Sequence, residues 1–167
     1  MMIDGFVARL RRQGRWRLAL CALAFPLSAQ ALSSCSVTTS GVVFGGYTFS
    51  NLAPTDAAGS VQVSCSLLGL VSLLVSYDIS LSTGASARYA SRKMANAGHG
   101  LLYNLYTNAG HSTVWGDGTS GTSTVSDGYL LDLLTTVRNY AVYGEMPAGQ
   151  NVPAGVYSDA LVVTVNY

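Results

Sequence analysis

Charged side chains are scarce in this chain of 167 residues, where Asp, Glu, Lys and Arg together make up 10%. Globular proteins average about 25%. Five of the nine basic residues fall within the first 17 positions, so the sequence after residue 31 holds four basic and seven acidic residues, a net charge of −3. Because no basic stripe is left to face a phosphate backbone, we expect no nucleic-acid partner.

A hydrophobic run long enough to cross a bilayer is also missing from the N-terminal region. The apolar run 18–27 has ten residues and contains Pro26, whereas a membrane-spanning helix needs about 20. This run follows five arginines and precedes the sequence AQA at 29–31, a cleavage site of the A-x-A type. We therefore predict a secretory signal peptide over residues 1–31 and one exported domain over 32–167, which passes through the periplasm to the cell surface or the medium.

Cysteine is limited to three residues, and Cys21 lies within the predicted signal. A single remaining pair in an exported chain, Cys35 and Cys65, predicts one disulfide. The bond would close a loop of about 30 residues and contribute roughly 3–4 kcal/mol. A second interpretation stays open, because residues 32–35, LSSC, loosely resemble a lipoprotein cleavage box. In that case Cys35 would be acylated and Cys65 would be free.

Residue types that carry catalysis or bind metals are few. His99 and His111 each lie next to glycine in a polar stretch, and neither is near a serine in an elbow motif. Together with Asp117 they match no ligand spacing of a metal site. Glu145 is the only glutamate, so a pair of catalytic carboxylates would have to draw on scattered aspartates. We predict no enzyme activity, no cofactor, no metal and no small-molecule substrate.

Short β-prone segments separated by Gly, Asn, Asp and Ser fill the rest of the chain, with no helical periodicity. The predicted strands are 35–39, 42–44, 60–66, 77–81, 101–106 and 135–143, with a further one from Asp159 onward. Segments 51–59 and 85–100 are predicted to be loops, and Arg88, Arg92 and Lys93 in the second are expected to be solvated. Trp115 is expected at the edge of the fold. Roughly six to eight strands with frequent turns predict an all-β sandwich.

The last stretch, residues 143–167, raises the question of an open sheet edge. Pro and Gly at 146–149 and again at 152–155 predict two turns. The strand that follows has a period-two pattern, with larger apolar side chains on one side and Ala160, Val162, Thr164 and Asn166 on the other. If this strand lacks a neighbour, its backbone groups and its apolar side must be covered by another chain. The residues predicted for this strand-acceptor edge are Leu161, Val163, Val165 and Tyr167.

Two leucine-rich runs, 67–75 and 129–134, stand among turn-forming residues. Each is interpreted either as a buried strand or hairpin arm, or as an exposed apolar contact loop. The second interpretation selects Leu67, Leu68, Leu70, Leu130, Leu131, Leu133 and Leu134.

An ordered set of short motifs covers nearly all of the sequence after the predicted signal. They are CSV at 35–37, VFG at 43–45, residues 59–65, ISLSTG at 79–84, Arg92 and Met94, LYNLY at 102–106, VWGDG at 114–118, VYG at 142–144, PAGQ at 147–150 and GVYSD at 155–159. In this order they resemble the spore coat protein U domain family, which is similar to the pilin subunits of archaic, Csu-type chaperone–usher pili.

The resemblance implies an immunoglobulin-like β-sandwich that lacks its last strand. A periplasmic chaperone lends the missing strand, and after passage through an outer-membrane usher the extension of a neighbouring pilin subunit replaces it. The expected function is a structural subunit of a surface pilus or secreted coat, assembled by donor-strand complementation. The alternative is a secreted spore-coat or matrix protein that completes its own sandwich and needs no chaperone.

One departure from the family pattern concerns the donor strand. A subunit that donates a strand needs about ten residues of alternating pattern ahead of its first cysteine. Here only residues 32–34 lie between the predicted cleavage site and Cys35. This predicts a terminal, tip-located subunit involved in adhesion and biofilm formation, with the leucine-rich runs as contact loops. Tip adhesins of this class usually have two domains, and this chain has room for one. The position in the fibre, the surface bound and the strand order stay open at this point.

Overall fold

A computed structural model describes residues 33–67, 73–131 and 135–167, and nearly all of its regular structure is β. The strands are β1 Ser33–Ser40, β2 Thr55–Leu67, β3 Leu73–Leu81, β4 Arg92–Asn96, β5 His99–Tyr106, β6 Val125–Leu131, β7 Thr136–Met146 and β8 Val163–Asn166. A 3-10 turn, Gly84–Ser86, lies between β3 and β4. Within these ranges no helix has the length and apolar composition that crossing a membrane requires.

Two antiparallel sheets make up the fold. One has five strands in the order β1-β2-β7-β5-β4, and the other has three in the order β6-β3-β8. The alternation predicted for 60–66 holds, because Val61, Val63 and Cys65 of β2 are all at most 1% exposed while the residues between them are only half-buried. The predicted all-β sandwich is confirmed.

The core lies between the two sheets and includes an indole that we expected at the edge. Trp115 is completely buried, and its Nε1–H donates to the carbonyl of Ile79 at 3.0 Å. A buried indole is stable when its N–H finds an acceptor. The edge position predicted for Trp115 is therefore wrong. The other residues of the core are Val61, Val63, Cys65, Val75, Tyr77, Ile79, Leu81, Leu101, Tyr103, Leu105, Leu131, Val142 and Met146.

Cys35 and Cys65 form the predicted disulfide. Cys35 and Cys65 are directly opposite in the β1–β2 ladder, with their Cα atoms 4.1 Å apart, and their sulfurs are bonded. A sulfur in a disulfide cannot also carry an acyl group, so this structure is incompatible with the lipoprotein interpretation of Cys35. The bond attaches β1, an edge strand, to the centre of the fold.

Two segments predicted to be loops contain strands. β2 begins at Thr55, inside the first predicted loop. Its partner β7 continues as far as Met146, and Met146 pairs with Thr55. In the segment 85–100, β4 and the start of β5 form a hairpin in which Asn96 pairs with His99. The two residues between them, Ala97 and Gly98, both have positive φ, at 44° and 87°. Two-residue hairpin turns favour residues with positive φ, and the first of the two is often Asn or Asp. Here the first residue is alanine, so the sequence has no strong hairpin signal at this place.

Arg92, at the start of β4, is buried rather than solvated. Its Nε and Nη2 donate to the carbonyl of Ser82 at 3.1 and 2.9 Å, Nη1 donates to Oδ1 of Asn104 at 2.8 Å, and Nη2 also donates to the carbonyl of Trp115 at 2.7 Å. The prediction of a solvated Arg92 is wrong because the fork of guanidinium N–H groups is matched by acceptors from three separate segments.

A cluster of tyrosines joins the two sheets on the side of β6. The hydroxyls of Tyr77 and Tyr140 are 2.5 Å apart, and Tyr140 donates to Oδ2 of Asp127 at 2.6 Å. The ring of Tyr129 packs edge-on against Tyr77, and the guanidinium of Arg138 lies 5.0 Å from the centre of the Tyr129 ring. Burial, with Tyr77 beside it, raises the pKa of Tyr129 to about 12.

This raised pKa predicts a loss of stability at alkaline pH. In the unfolded chain a tyrosine ionises near pH 10, whereas folded Tyr129 keeps its proton up to about pH 12. The contribution of Tyr129 to the free energy of unfolding is therefore fully present below pH 10 and is lost as the pH rises through 12.

Urea unfolding between pH 7 and 11.5 tests this prediction. The free energy of unfolding should fall above pH 10. The fall should be shallower in Tyr129→Phe. A matched Tyr167→Phe change, at an exposed ring, should leave the wild-type slope; equal slopes in all three proteins would contradict the assignment.

Candidate strand-acceptor groove

β8 lies at the edge of the three-stranded sheet, with β3 as its one neighbour among the described strands. The amide of Ser82 donates to the carbonyl of Val162 at 3.0 Å. Since hydrogen-bonding direction alternates along an antiparallel strand, residues 164 and 166 also direct their backbone groups toward β3. The N–H and C=O groups of Val163 and Val165 therefore point to the open edge.

The side chains of this segment alternate as predicted from Leu161 to Val165. Leu161, Val163 and Val165 pack against the core, while Val162 is 64% exposed. Tyr167 was predicted on the same side as the first three, but it follows the end of β8 and is 62% exposed, so the inward position predicted for it is wrong. The strand begins later than predicted, at Val163, because the Ser82 carbonyl that would continue the ladder is occupied by Arg92. The amide of Val162 donates to the Ser82 hydroxyl instead, at 2.9 Å.

A groove of about 890 Å³ opens beside β8. It exists because three strands face five, so the apolar side of the larger sheet is not fully covered by the smaller one. One wall is formed by residues 39–49, which follow β1, and the other by residues 152–163. We call this space the acceptor groove. Its floor is apolar and consists of Val61, Leu81, Met94, Leu101, Tyr103, Leu105, Val142 and Met146.

The first wall has no regular secondary structure and is not part of a ladder. In residues 41–49, Val42 and Phe44 pack on the core while Val43 is 80% exposed. The segment alternates like a strand, yet it pairs with no described strand, so the strand predicted at 42–44 is wrong. A Cβ on Gly144 would lie 2.7 Å from side-chain atoms of both Val42 and Phe44. The close approach of this wall to β7 therefore requires glycine at position 144.

Polar contacts at the predicted turn 146–149 fix the first wall. The Tyr47 hydroxyl donates to the carbonyl of Pro147 at 3.0 Å and accepts from the amide of Gln150 at 2.7 Å. The Gln150 side chain in turn accepts from the amide of Leu102 at 2.7 Å and donates to its carbonyl at 2.9 Å. Gly149 has a φ of +74°, which agrees with the expectation of a positive φ in this turn.

Asp159 holds the second wall. Its Oδ2 accepts from the Tyr103 hydroxyl at 2.8 Å, and its Oδ1 accepts from the amides of Ala85 and Ala160 at 3.0 and 2.9 Å. Burial, followed by the hydrogen bond to Asp159, raises the pKa of Tyr103 well above its usual value, so the phenol on the groove floor stays neutral. Ser158 and Ala95 exchange two backbone hydrogen bonds, which attach the same wall to β4.

Exposed apolar side chains lie along both walls. Val43 is 80% exposed, Phe49 60% and Val156 87%, and all three line the groove. Contiguous exposed apolar surface on a soluble protein usually marks a contact site. The wall residues 41–49 and Val156 were not among the predicted site residues, although the in–out pattern of Val42, Val43 and Phe44 was a signal for them.

The leucine-rich runs are only partly exposed. Leu130 is 67% exposed, but Leu131 is completely buried and Leu67 packs against the core. The prediction of an exposed Leu131 is wrong because neighbouring residues of β6 face opposite sides of the sheet. Leu74 on the paired strand β3 is 69% exposed, so Leu74 and Leu130, which are directly opposite in the ladder, form an apolar pair at the surface. Leu68, Leu70, Leu133 and Leu134 lie outside the described residues.

Comparisons with known proteins agree with the fold. The family model for the Spore Coat Protein U domain matches residues 22–164. The sequence is 36% identical over 111 residues to Protein U of Myxococcus xanthus. The aligned region covers 65% of this chain and 59% of Protein U.

The fold is also similar to a solved structure, the pre-assembly complex of a chaperone and a tip adhesion subunit from the archaic chaperone–usher Csu pili of Acinetobacter baumannii. One chain of that complex aligns with a TM-score of 0.55 and 25% identity, over 81% of this chain and 40% of the other. The chain thus spans less than two thirds of the length of each of these two relatives.

Proposed function

Because the chain belongs to the Spore Coat Protein U domain family, we propose that it is a structural subunit of a surface pilus or coat, completed by a strand from another polypeptide. The observation that carries this proposal is the acceptor groove beside the unpaired edge of β8. The incoming strand lies between β8 and wall 41–49.

The open edge of β8 supplies the main-chain part of the recognition. Val163 and Val165 present N–H and C=O groups to the incoming strand, which forms a ladder with them in the manner of β-strand addition. Residues 42–44 of the wall alternate like a strand and have no ladder partner among the described strands, so they offer a second edge. A strand between the two would be hydrogen-bonded on both sides.

The groove floor supplies the side-chain part. An incoming strand with apolar residues at alternate positions directs them onto Val61, Leu101 and Leu105. Each fully buried Val or Leu side chain contributes about 1.5–3 kcal/mol, so four or five such residues contribute on the order of 10 kcal/mol. This is comparable to the whole stability of a typical domain, about 5–15 kcal/mol. Occupancy of the groove therefore adds a large part of the stability of the subunit.

Two donors act in succession. The solved relative is a complex between a chaperone and a tip adhesion subunit before assembly, which supports a periplasmic chaperone as the first donor for this chain. After export directed by residues 1–31, the chaperone fills the groove, an outer-membrane usher receives the complex, and the extension of another subunit replaces the chaperone strand.

The subunit occupies the tip of its fibre and contributes to adhesion and biofilm formation. Cleavage after residue 31 leaves three residues ahead of Cys35, too few to donate a strand. The exposed pair Leu74 and Leu130 lies near the start of β3 and the end of β6, within the two leucine-rich runs. These side chains are suited to contact an apolar surface.

A synthetic peptide added to the purified protein tests whether the acceptor groove binds a strand. We expect a Lys-flanked ten-residue peptide that alternates Val with Thr to form a one-to-one complex with the purified protein. The complex should raise the melting temperature by at least about 10 °C, because several kcal/mol of burial shift Tm by this much in a domain of this size. The control peptide has the same composition with its valines placed consecutively.

Circular dichroism melts and size-exclusion chromatography of the protein with each peptide give the answer. A protein that is a stable monomer alone, and whose Tm neither peptide changes, would contradict the proposal. That result would favour the secreted coat or matrix protein that completes its own sandwich.

A further inference from the structure

Three potential metal ligands converge on the outer face of the five-stranded sheet, away from the groove. Asp56 on β2, Glu145 on β7 and His111, in the connection between β5 and β6, place one ligand atom each within 4.8 Å of the others. Met146 faces the core, so its neighbour Glu145 faces outward. We propose that these three residues bind a zinc ion, a site that is independent of the strand-acceptor function.

The first support is the pairing of two carboxylates. Asp56 and Glu145 are directly opposite each other in the β2–β7 ladder. Like charges in this position destabilise a sheet. Among the described residues, no Lys or Arg forms an ion pair with either carboxylate, and the imidazole of His111 contacts Glu145. A divalent cation between the carboxylates removes the repulsion.

The second support is the spacing of the donor atoms. Nδ1 of His111 lies 3.3 Å from Oε2 of Glu145. Zinc bonds to nitrogen and oxygen are about 2.0–2.1 Å long, and two such ligands of a tetrahedral ion are therefore about 3.3–3.4 Å apart. The pair already has the separation that a shared zinc requires. Asp56 is exposed, so its side chain is free to rotate toward the ion.

The third support is that the imidazole is already held in place. His111 has a φ of +50°, in a turn where its amide donates to the carbonyl of Asn108 at 3.1 Å. Oδ1 of Asn108 accepts from the amide of Ser112 at 3.1 Å. The imidazole ring packs against Tyr106 with the ring centres 5.0 Å apart. The ring therefore lies over the carboxylates before any ion binds.

The chemical types of the three ligands favour zinc over calcium and magnesium. An imidazole nitrogen with two carboxylate oxygens suits zinc, whereas calcium and magnesium prefer oxygen ligands alone. Three protein ligands leave a fourth position for water. Bound zinc would connect β2, β7 and the turn 108–112.

Isothermal titration with zinc chloride tests the site, using protein without a polyhistidine tag. We expect one zinc ion per chain. The chain has two histidines, which allows a matched pair of variants: His111→Asn should weaken zinc binding at least tenfold, and His99→Asn should leave it unchanged. Asparagine tolerates positive φ better than most residues, so His111→Asn preserves the turn. Glu145→Gln, which keeps the size of the side chain, should also weaken binding at least tenfold.

Far-UV circular dichroism and the effect of zinc on Tm complete the test. Zinc in large excess over its Kd should raise the Tm of the wild-type protein and of His99→Asn by several degrees, while equal magnesium chloride should not. Absence of stoichiometric zinc binding in the wild-type protein would overturn the proposal. Equal zinc affinity in His111→Asn, Glu145→Gln and the wild-type protein would do the same, since the ion would then be held elsewhere.

Discussion

Val163→Asp should abolish binding of a donor strand, whereas Val162→Asp should leave it intact. The two positions are adjacent, but Val163 packs toward the core beside the groove and Val162 is 64% exposed on the opposite side. An aspartate at 163 would be buried without a partner once a strand fills the groove. Burying an unpaired carboxylate costs several kcal/mol, so we expect the affinity for the alternating Val/Thr peptide to fall at least 100-fold.

The peptide-induced rise in Tm measures this effect in both variants. Val163→Thr serves as an intermediate case, because threonine has nearly the shape of valine and carries no charge; it should lose part of the affinity. Far-UV circular dichroism of the free variants separates lost binding from lost folding. Similar binding by Val163→Asp and Val162→Asp would show that the strand does not enter beside β8.

Arg92→Ala should destabilise the protein by about 3–5 kcal/mol, because three acceptors lose their donor and each unsatisfied buried acceptor costs about 1–3 kcal/mol. The variant leaves the carbonyls of Ser82 and Trp115 and the side-chain oxygen of Asn104 without their donor. Lys93→Ala is the matched control, because Lys93 is the next residue of β4 and is exposed. It should change stability by less than about 0.5 kcal/mol.

Urea unfolding of both variants under oxidising conditions gives the two values. Arg92→Lys adds a second check, since one ammonium cannot replace a planar fork that reaches three acceptors. It should recover less than half of the lost stability. A loss below about 1 kcal/mol in Arg92→Ala would mean that water satisfies these acceptors and that the network is not important for folding.

The strands and the sandwich were predictable because their signal is local. Val61, Val63 and Cys65 on β2 alternate with polar residues, and Leu161, Val163 and Val165 recur at every second position. The disulfide was predictable from the count of cysteines. The turn at 146–149 was predictable because Pro and Gly each restrict or permit particular φ values.

The errors come from information that lies far away in sequence. Nothing around Arg92 indicates that Asn104 and Trp115 will supply acceptors, so its surroundings appeared solvated. Leu131 belongs to a run of leucines, and which of them face inward depends on the register with β3. The strand β4 was missed because its turn, Ala97 and Gly98, has no strong hairpin signal.

The candidate sites show the same division. The in–out alternation of Leu161, Val162 and Val163 could be predicted from the sequence, and the role of β8 as an acceptor edge is a proposal. The wall 41–49 could be recognised only once β7 and Gly144 were placed beneath it. Asp56, His111 and Glu145 are separated by tens of residues, and only the β2–β7 register together with the turn after β5 brings them into one cluster.

The disulfide between Cys35 and Cys65 has a mechanical consequence for a subunit pulled along a fibre. The bond has a sequence separation of 30 residues, and the groove wall 41–49 lies inside the loop it closes. When force extends the rest of the domain completely, the disulfide keeps this loop closed, and about 100 Å of chain does not extend. In single-molecule force spectroscopy the oxidised protein should therefore lengthen by about that much less than the reduced protein, and the tethered wall is kept ready for the domain to refold when tension is released.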